Sequence, residues 1–233
     1  MSEERPPLRI VISDPRAGGK VIRVRVKGVE DIEYTDEMRK TREQERRVLP
    51  IARISKTLAE KLSLGPASVI TLRFRTSEGK TVKIPFKAVV ADNIEEGEVQ
   101  VNLELLGEAV GEIEAEAEAF RAKSWQVAVS DDVAIRLAGL EIGDEFDGSM
   151  VGLEGVRLKV RGGSDATGFP MHPGVPGSGK YRALLSGPPG FRPREKGERR
   201  RKTVRGRMIP DPRGERRKTA LAQLNVVISY PES

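Results

Sequence analysis

The sequence predicts a mainly β protein with short helices (α+β), built as small interlocked β-barrels and ending in an extended basic C-terminal segment. Three observations predict it. A strand, a capped short helix, a glycine turn and a second strand recur in outline over residues 54–75, 101–121 and 129–148. Between these helices apolar and polar residues alternate with the period of two that half-buried strands require. Residues 161–206 then gather glycines, prolines, arginines and three spaced aromatics, Phe169, Tyr181 and Phe191, in a stretch too irregular and too charged for a core.

Taken in order, residues 8–27 read as a hairpin: apolar LRIVI, a turn over SDPRAGG, and Val21, Ile22, Val24 and Val26 set among cations. Outward cations are the usual protection of an edge strand. Residues 30–47 are charged and poor in apolar side chains, which suits a linker or a short solvated helix. In the three repeated units Ser55, Asn102 and Ser130 stand where helix N-caps belong. Gly65, Gly111 and Gly143 stand where left-handed C-caps belong. SEGKTVKIPFKAVVADN supplies a further hairpin with its turn at Ser77, Glu78 and Gly79.

Residues 112–120 are Glu and Ala, both good helix formers, yet their strict alternation and the repeat favour a strand. Residues 92–118 hold ten acids and no Lys or Arg, a face that would repel nucleic acid, so the module of residues 46–120 is expected to face solvent or a basic protein neighbour. WQVAVS, a helix, the Gly143-Asp144 turn and MVGLEGVRLKV lead into the glycine-rich stretch; residues 181–185 and 224–230 complete the strands.

At 233 residues, with 37% hydrophobic side chains, the chain can bury a core of one or two domains. It has no cysteine and one histidine, His172, which removes disulfides, thiolate nucleophiles and zinc sites needing several imidazoles. No cofactor is expected. The N-terminus lacks an apolar signal region and no apolar run is long enough for a span, so no membrane contact and a cytoplasmic location are expected. The 33% of charged residues exceeds the roughly 25% of ordinary domains, a composition compatible with surface ion-pair networks.

Net charge is +6, but residues 157–218 hold 18 Lys and Arg against 5 acids, leaving 23 basic and 30 acidic residues elsewhere. One end of the molecule therefore suits polyanions. Gly174 to Lys180 fits the phosphate-loop pattern GxxxxGK, yet Tyr181 stands where a magnesium-binding Ser or Thr belongs and neither a strand before nor a long helix after is present. A small-molecule substrate is thus not expected. His172 lacks triad partners, and the Asp144, Glu145, Asp147 cluster lacks calcium-loop spacing. By contrast, residues 194–205 carry seven cations in twelve positions. Guanidinium forks bind phosphates bidentately, and aromatics stack on unpaired bases.

Several long motifs carry a resemblance: VISDP, GLEIGDEFDGSMVGLEGVRLKVRGGSDATGFPMHPGV, LLSGPPGFRPREKGERRRKTVRG and QLNVVI. Through them the chain resembles small-subunit ribosomal protein six of the archaeal and eukaryotic type. The resemblance implies a mostly β, barrel-like, non-catalytic protein bound to 16S-type ribosomal RNA and to neighbouring small-subunit proteins, with structural and assembly roles. It implies RNA contacts at Arg161, Lys180, Arg182, Arg192, Arg194, Lys196, Arg199, Arg200, Arg201, Lys202 and Arg205. Phe169, Tyr181 and Phe191 join them as stacking candidates, and Arg207 as the start of a possible extension to Lys218.

Three departures stand out. Shorter relatives lack most of residues 46–120. After Gly206 the chain reads Arg207-Met208-Ile209-Pro210 and a basic insert where the family has Asn-Thr-Ile-Ser. It also stops at Ser233, without the phosphorylatable helix of eukaryotic members. The expected division is an N-terminal hairpin and linker (1–45), an inserted repeat module (46–120), the remainder of a core barrel (121–160) and the RNA-binding segment with the final strand (161–233).

Overall fold

Asp14 ends the first strand with a carboxylate that the chain then buries, and its partner decides the path that follows. In the computed structural model, which describes residues 7–40, 45–75, 79–214 and 220–230, Arg121 holds Asp14 Oδ2 at 2.6 Å through Nη2 and 2.8 Å through Nε. Arg121 Nη1 also donates to the Ser63 carbonyl at 2.8 Å. The expected hairpin over residues 8–27 does not form. Its two strands enter different sheets.

In chain order the strands are β1 (Leu8–Ser13), β2 (Val21–Val29), β3 (Ile51–Ile54), β4 (Val69–Arg75), β5 (Thr81–Val90), β6 (Glu98–Asn102), β7 (Glu114–Arg121), β8 (Ser124–Val129), β9 (Glu145–Asp147), β10 (Arg157–Asp165), β11 (Lys180–Leu185), β12 (Arg200–Arg205) and β13 (Leu221–Ser229). Three helices, α1 (Lys56–Lys61), α2 (Leu103–Val110) and α3 (Asp131–Leu137), interrupt them. None of the helices among the described residues is long and apolar enough to cross a membrane.

The chain forms two compact units. One comprises Asp14–Trp125 with Gly152–Val156. It is a closed barrel in the order β2-β6-β3-β5-β4-β7, interlocked because β2 runs parallel to β6 and β3 parallel to β5. Since β2 is one of its staves, the boundary expected at 45/46 lies inside this unit. Alternate side chains fill the interior, among them Val24, Val26, Ile54, Leu72, Phe74, Phe86 and Val101, and Leu58, Leu105 and Leu106 of α1 and α2 pack against them. Replacing Phe86, fully buried, with Ala should destabilise this unit by about 3–5 kcal/mol, read as a lowered urea midpoint.

The repeated units β3-α1-β4 and β6-α2-β7 both lie in the barrel. Their caps are as expected at the N-termini: Ser55 Oγ accepts from Leu58 N at 3.3 Å, and Asn102 Oδ1 from Glu104 N and Leu105 N at 2.9 and 3.2 Å. Gly111 takes the left-handed C-cap of α2, but after α1 that conformation falls on Ser63 rather than Gly65. The Ser63 carbonyl is the one that Arg121 engages. The β4-β5 hairpin forms, with Arg75 opposite Thr81; Ser77 and Glu78 of its turn lie outside the described residues.

β7 is a strand, and its alternating alanines point inward while Glu114, Glu116 and Glu118 point out. The ten acids of residues 92–118 are divided among β6, α2, β7 and the turns that join them. Those of β7 lie opposite cations of β2, Glu118 facing Arg23, Glu116 facing Arg25 and Glu114 facing Lys27.

The other unit comprises Met1–Ser13, Gln126–Val151 and Arg157–Ser233. Its five-stranded sheet has the order β8-β1-β13-β10-β9, with β1 parallel to β13 and β10 antiparallel to it. Ile10, Ile12, Leu158, Val160, Leu224 and Ile228 make its core. The third repeated unit, β8-α3-β9, belongs here, not in the barrel. Its Ser130 takes the extended N-cap backbone without a side-chain cap bond, and the chain turns at Gly139, four residues before Gly143.

Candidate nucleic-acid interface

The basic segment is anchored where β10 ends. Asp165 has a fully buried side chain, and such a charge is tolerated only when its acceptors are filled. Its Oδ1 accepts from Thr167 N, Thr167 Oγ1 and Phe169 N at 3.0, 2.8 and 2.9 Å. Lys180 Nζ lies 2.8 Å from Oδ2 and also donates to Thr167 Oγ1 at 2.8 Å. Burial alone would raise the Asp165 carboxyl, but Lys180, the Phe169 amide and Thr167 together hold it below the usual carboxylate range. Lys180 Nζ also sits 4.9 Å over the Phe169 ring.

Residues 174–180 wrap the chain beyond β12 rather than cradling an anion. The carbonyls of Val175, Gly177 and Gly179 accept from the amides of Arg207, Met208 and Gly206 at 2.8, 3.0 and 2.9 Å. A phosphate-binding loop must aim amides at its ligand, so this geometry sets the lookalike aside. A Cβ on Gly206 would lie 1.9 Å from the Gly177 carbonyl oxygen, which only glycine avoids. His172 Nδ1 accepts from Gly174 N at 3.1 Å and its own amide donates to the Arg205 carbonyl at 2.9 Å. It shapes the loop.

From this base rises a two-stranded ribbon, β11 against β12, with Arg182 opposite Thr203, Leu184 opposite Arg201 and Leu185 opposite Arg200. Leu185, Phe191 and Val204 form a small core, with Val175 and Ala183 packed on it. Gly190 turns the connecting loop into that core with φ of 93°; a Cβ there would meet Val204 Cγ1 at 2.8 Å. Farther along, Glu198 staples the arm: its Oε2 accepts from Arg194 N at 2.7 Å and its Oε1 pairs with Arg200 Nε at 2.8 Å. The Arg194 amide first, then Arg200, hold this carboxyl below its usual range.

The residues predicted to contact RNA thus divide. Arg161, Tyr181, Arg182, Arg192, Arg194, Lys196, Arg199, Arg200, Arg201 and Lys202 are exposed, and all but Arg161 lie on the ribbon and its connecting arm. Five others are engaged by the fold itself, and two of them, Arg205 and Phe191, are buried. Arg205 is 2% exposed and donates from Nη2 to the Ser178 carbonyl at 2.9 Å. Phe191 is 8% exposed in the small core, so it cannot stack on a base without unpacking. Lys180 neutralises Asp165, Phe169 lies beneath Lys180, and Arg207 Nε pairs with Glu141 Oε2 at 2.7 Å.

Two features were missed from sequence. Leu184 is 58% exposed on the ribbon, and its parity opposite to Leu185 in KYRALL was the available signal. The organising role of Asp165 and Glu198 had no sequence signal beyond their isolation among cations. In the basic insert, Arg213 pairs with Asp211 at 2.7 Å, while Arg216, Arg217 and Lys218 lie outside the described residues. Among the described residues no group of three or more His, Asp or Glu is placed to hold a metal ion.

Comparison with known proteins bears on this segment directly. The model of the family described as ribosomal protein S6e matches residues 116–232. The small ribosomal subunit protein eS6 of Aeropyrum pernix is 72% identical over 230 residues, covering 99% of this chain and 98% of that protein. Its counterparts in Hyperthermus butylicus and Saccharolobus solfataricus are 48% and 37% identical, covering 97% and 96% of this chain and 99% of each protein. The family model thus begins within β7, whereas these relatives also span the barrel. On the matched segment and the near full-length identity together, this chain belongs to the ribosomal protein S6e family.

Proposed function

We propose that this protein is a structural constituent of the small ribosomal subunit that binds 16S-type rRNA through the ribbon and arm of residues 181–202, acting in subunit assembly and translation. It is a ribosomal protein of the cytoplasmic small subunit and not an enzyme, as its family is. One observation carries the rRNA reading. Eight exposed cations, Arg182, Arg192, Arg194, Lys196, Arg199, Arg200, Arg201 and Lys202, stand on a braced ribbon and arm with only Glu195 and Glu198 among them. Cations fixed in this way neutralise phosphates and release counterions without first being ordered. Exposed Tyr181 and Leu184 add surfaces for unstacked bases.

The neighbours of this protein are then rRNA and other small-subunit proteins. Sedimentation of a lysate through a high-salt gradient should leave the chain with small subunits, cross-linked to 16S-type rRNA through residues 182–202. Recovery only in free or chromosomal fractions would overturn the reading.

A further inference from the structure

The barrel has a cationic side of its own, far in sequence from residues 161–207. Along its outer wall β2, β7, β4 and β5 lie side by side. Register sets Arg23, Glu118, Arg73 and Lys83 in one row across these four strands. The next row holds Arg25 and Glu116, with Arg75 at the end of β4 opposite Thr81, and Lys27 faces Glu114 beyond it. Six cations therefore meet the three carboxylates of β7, with Glu98 of β6 on the other flank of Arg25. The acids of β7 are enclosed on both sides by basic strands and do not form a repelling face.

The shape follows from the same register. Strands lie about 4.8 Å apart, so the arginines of β2 and β4 flank β7 as two rows about 10 Å apart. Between them runs a groove of about 610 Å³ whose walls carry Arg23, Arg25, Arg73 and Arg75 and whose floor and end carry Glu112, Glu116 and Glu118, with Val110 and Ala115 beside them. A second hollow of about 540 Å³, lined by Arg73, Arg75, Thr81 and Lys83, adjoins it. Glu118 is occupied by Arg73, which also lies 5.8 Å over the Phe120 ring. Arg75 reaches the same carboxylate at 3.5 Å yet keeps 80% of its side chain exposed, and Arg23, Arg25, Lys27 and Lys83 are exposed.

A protein partner would need an apolar centre to its interface. Of the apolar side chains on this wall, Val21 and the half-buried Phe120 share one row at its end, Phe120 lying under the Arg73 guanidinium, and Ile113 stands just before β7 at the other end. Val89 and Val90 end β5 beyond its pairing with β4, beside β3. A grooved surface whose middle rows carry guanidinium and ammonium groups, with the apolar side chains at its ends, matches a phosphate backbone.

We propose that the outer wall of β2, β7, β4 and β5 is a second RNA-docking surface, on which Arg23, Arg25, Arg75 and Lys83 hold the phosphates of rRNA. It goes beyond the ribbon and arm, and shares with the proposed function only the premise that the chain sits on rRNA.

The test uses the full chain and a transcript of small-subunit rRNA, with binding measured across salt concentration. The variant R23Q/R25Q/R75Q/K83Q should lower the slope of log affinity against log salt by about 3, at roughly 0.7–0.9 for each phosphate no longer neutralised. It should do so equally in a chain whose Arg199, Arg201 and Lys202 are already alanine. The opposite change, E116Q, removes an exposed carboxylate from the groove floor and should tighten binding about threefold at low salt. Being a single surface change, it also guards against a quadruple variant that fails to fold.

An unaltered slope in the quadruple variant, beside a reduced one in the ribbon variant, would overturn the barrel surface and leave the proposed function standing. Unaltered slopes in both would overturn the two together. Loss of a cross-link from this wall to an acidic subunit protein, with the rRNA slope intact, would show that a protein occupies it instead.

Discussion

Replacing Arg199, Arg201 and Lys202 together with alanine should weaken rRNA binding and lower its salt slope by about 2–3, since each neutralised phosphate contributes roughly 0.7–0.9. All three side chains are exposed on the β12 side of the ribbon, and the small core of Leu185, Phe191 and Val204 does not depend on them. Folding should therefore be nearly unchanged, and the loss should be uniform across RNA sequences, as phosphate contacts carry no base information. Arg205→Ala supplies the contrast. That guanidinium is buried and caps the Ser178 carbonyl, so its removal should lower the unfolding midpoint and leave the slope as it was. Titrations of both variants from about 50 to 200 mM salt separate RNA-binding side chains from scaffold; an unchanged slope in the triple variant would refute the assignment of phosphates to this run.

Asp165→Ala should destabilise the unit built on the five-stranded sheet by about 3 kcal/mol, because it strips Lys180 of its carboxylate and leaves the Thr167 and Phe169 donors without an acceptor. The effect should depend on pH with a definite sign. The carboxyl is held below its usual range in the folded chain, so the unfolded chain takes up the proton first as pH falls. Its stabilisation is fully present above the unfolded value of about 3.9 and is lost as pH falls through the lower folded value. Urea midpoints of the native chain and the variant should thus stand well apart at neutral pH and converge in acid. A constant gap across that range would show that Asp165 acts by shape rather than charge.

These two predictions separate what was legible in the chain from what was not. For the fifteen predicted contacts, the exposure of most was legible because seven cations in twelve positions cannot all be buried. The engagement of the other five within the fold was not. Arg201 and Arg205 sit at the same parity on β12, so periodicity treats them alike; they differ because residues 174–179 fold over one end of the strand and supply a carbonyl there. Phe191 likewise looked like a platform for bases until Gly190 turned it under the ribbon. The paired acids of β7 follow the same logic. Their spacing fixed which side they face, but only strand order put Arg23, Arg25 and Arg73 beside them.

By itself the sequence determined what is local: the strands with their alternation, the caps at Ser55 and Asn102, the left-handed turn at Gly111, and the excess of cations in the segment. The tertiary structure alone decided partners. It sent β1 to β13 and β2 to β6 and β7, and it chose which arginines face solvent and which hold the fold. The physical reason is that propensity and capping act over a few residues, whereas pairing joins segments as far apart as Arg9 and Gln223. Which of those distant closures is made depends on the whole set of buried contacts that repay their entropy.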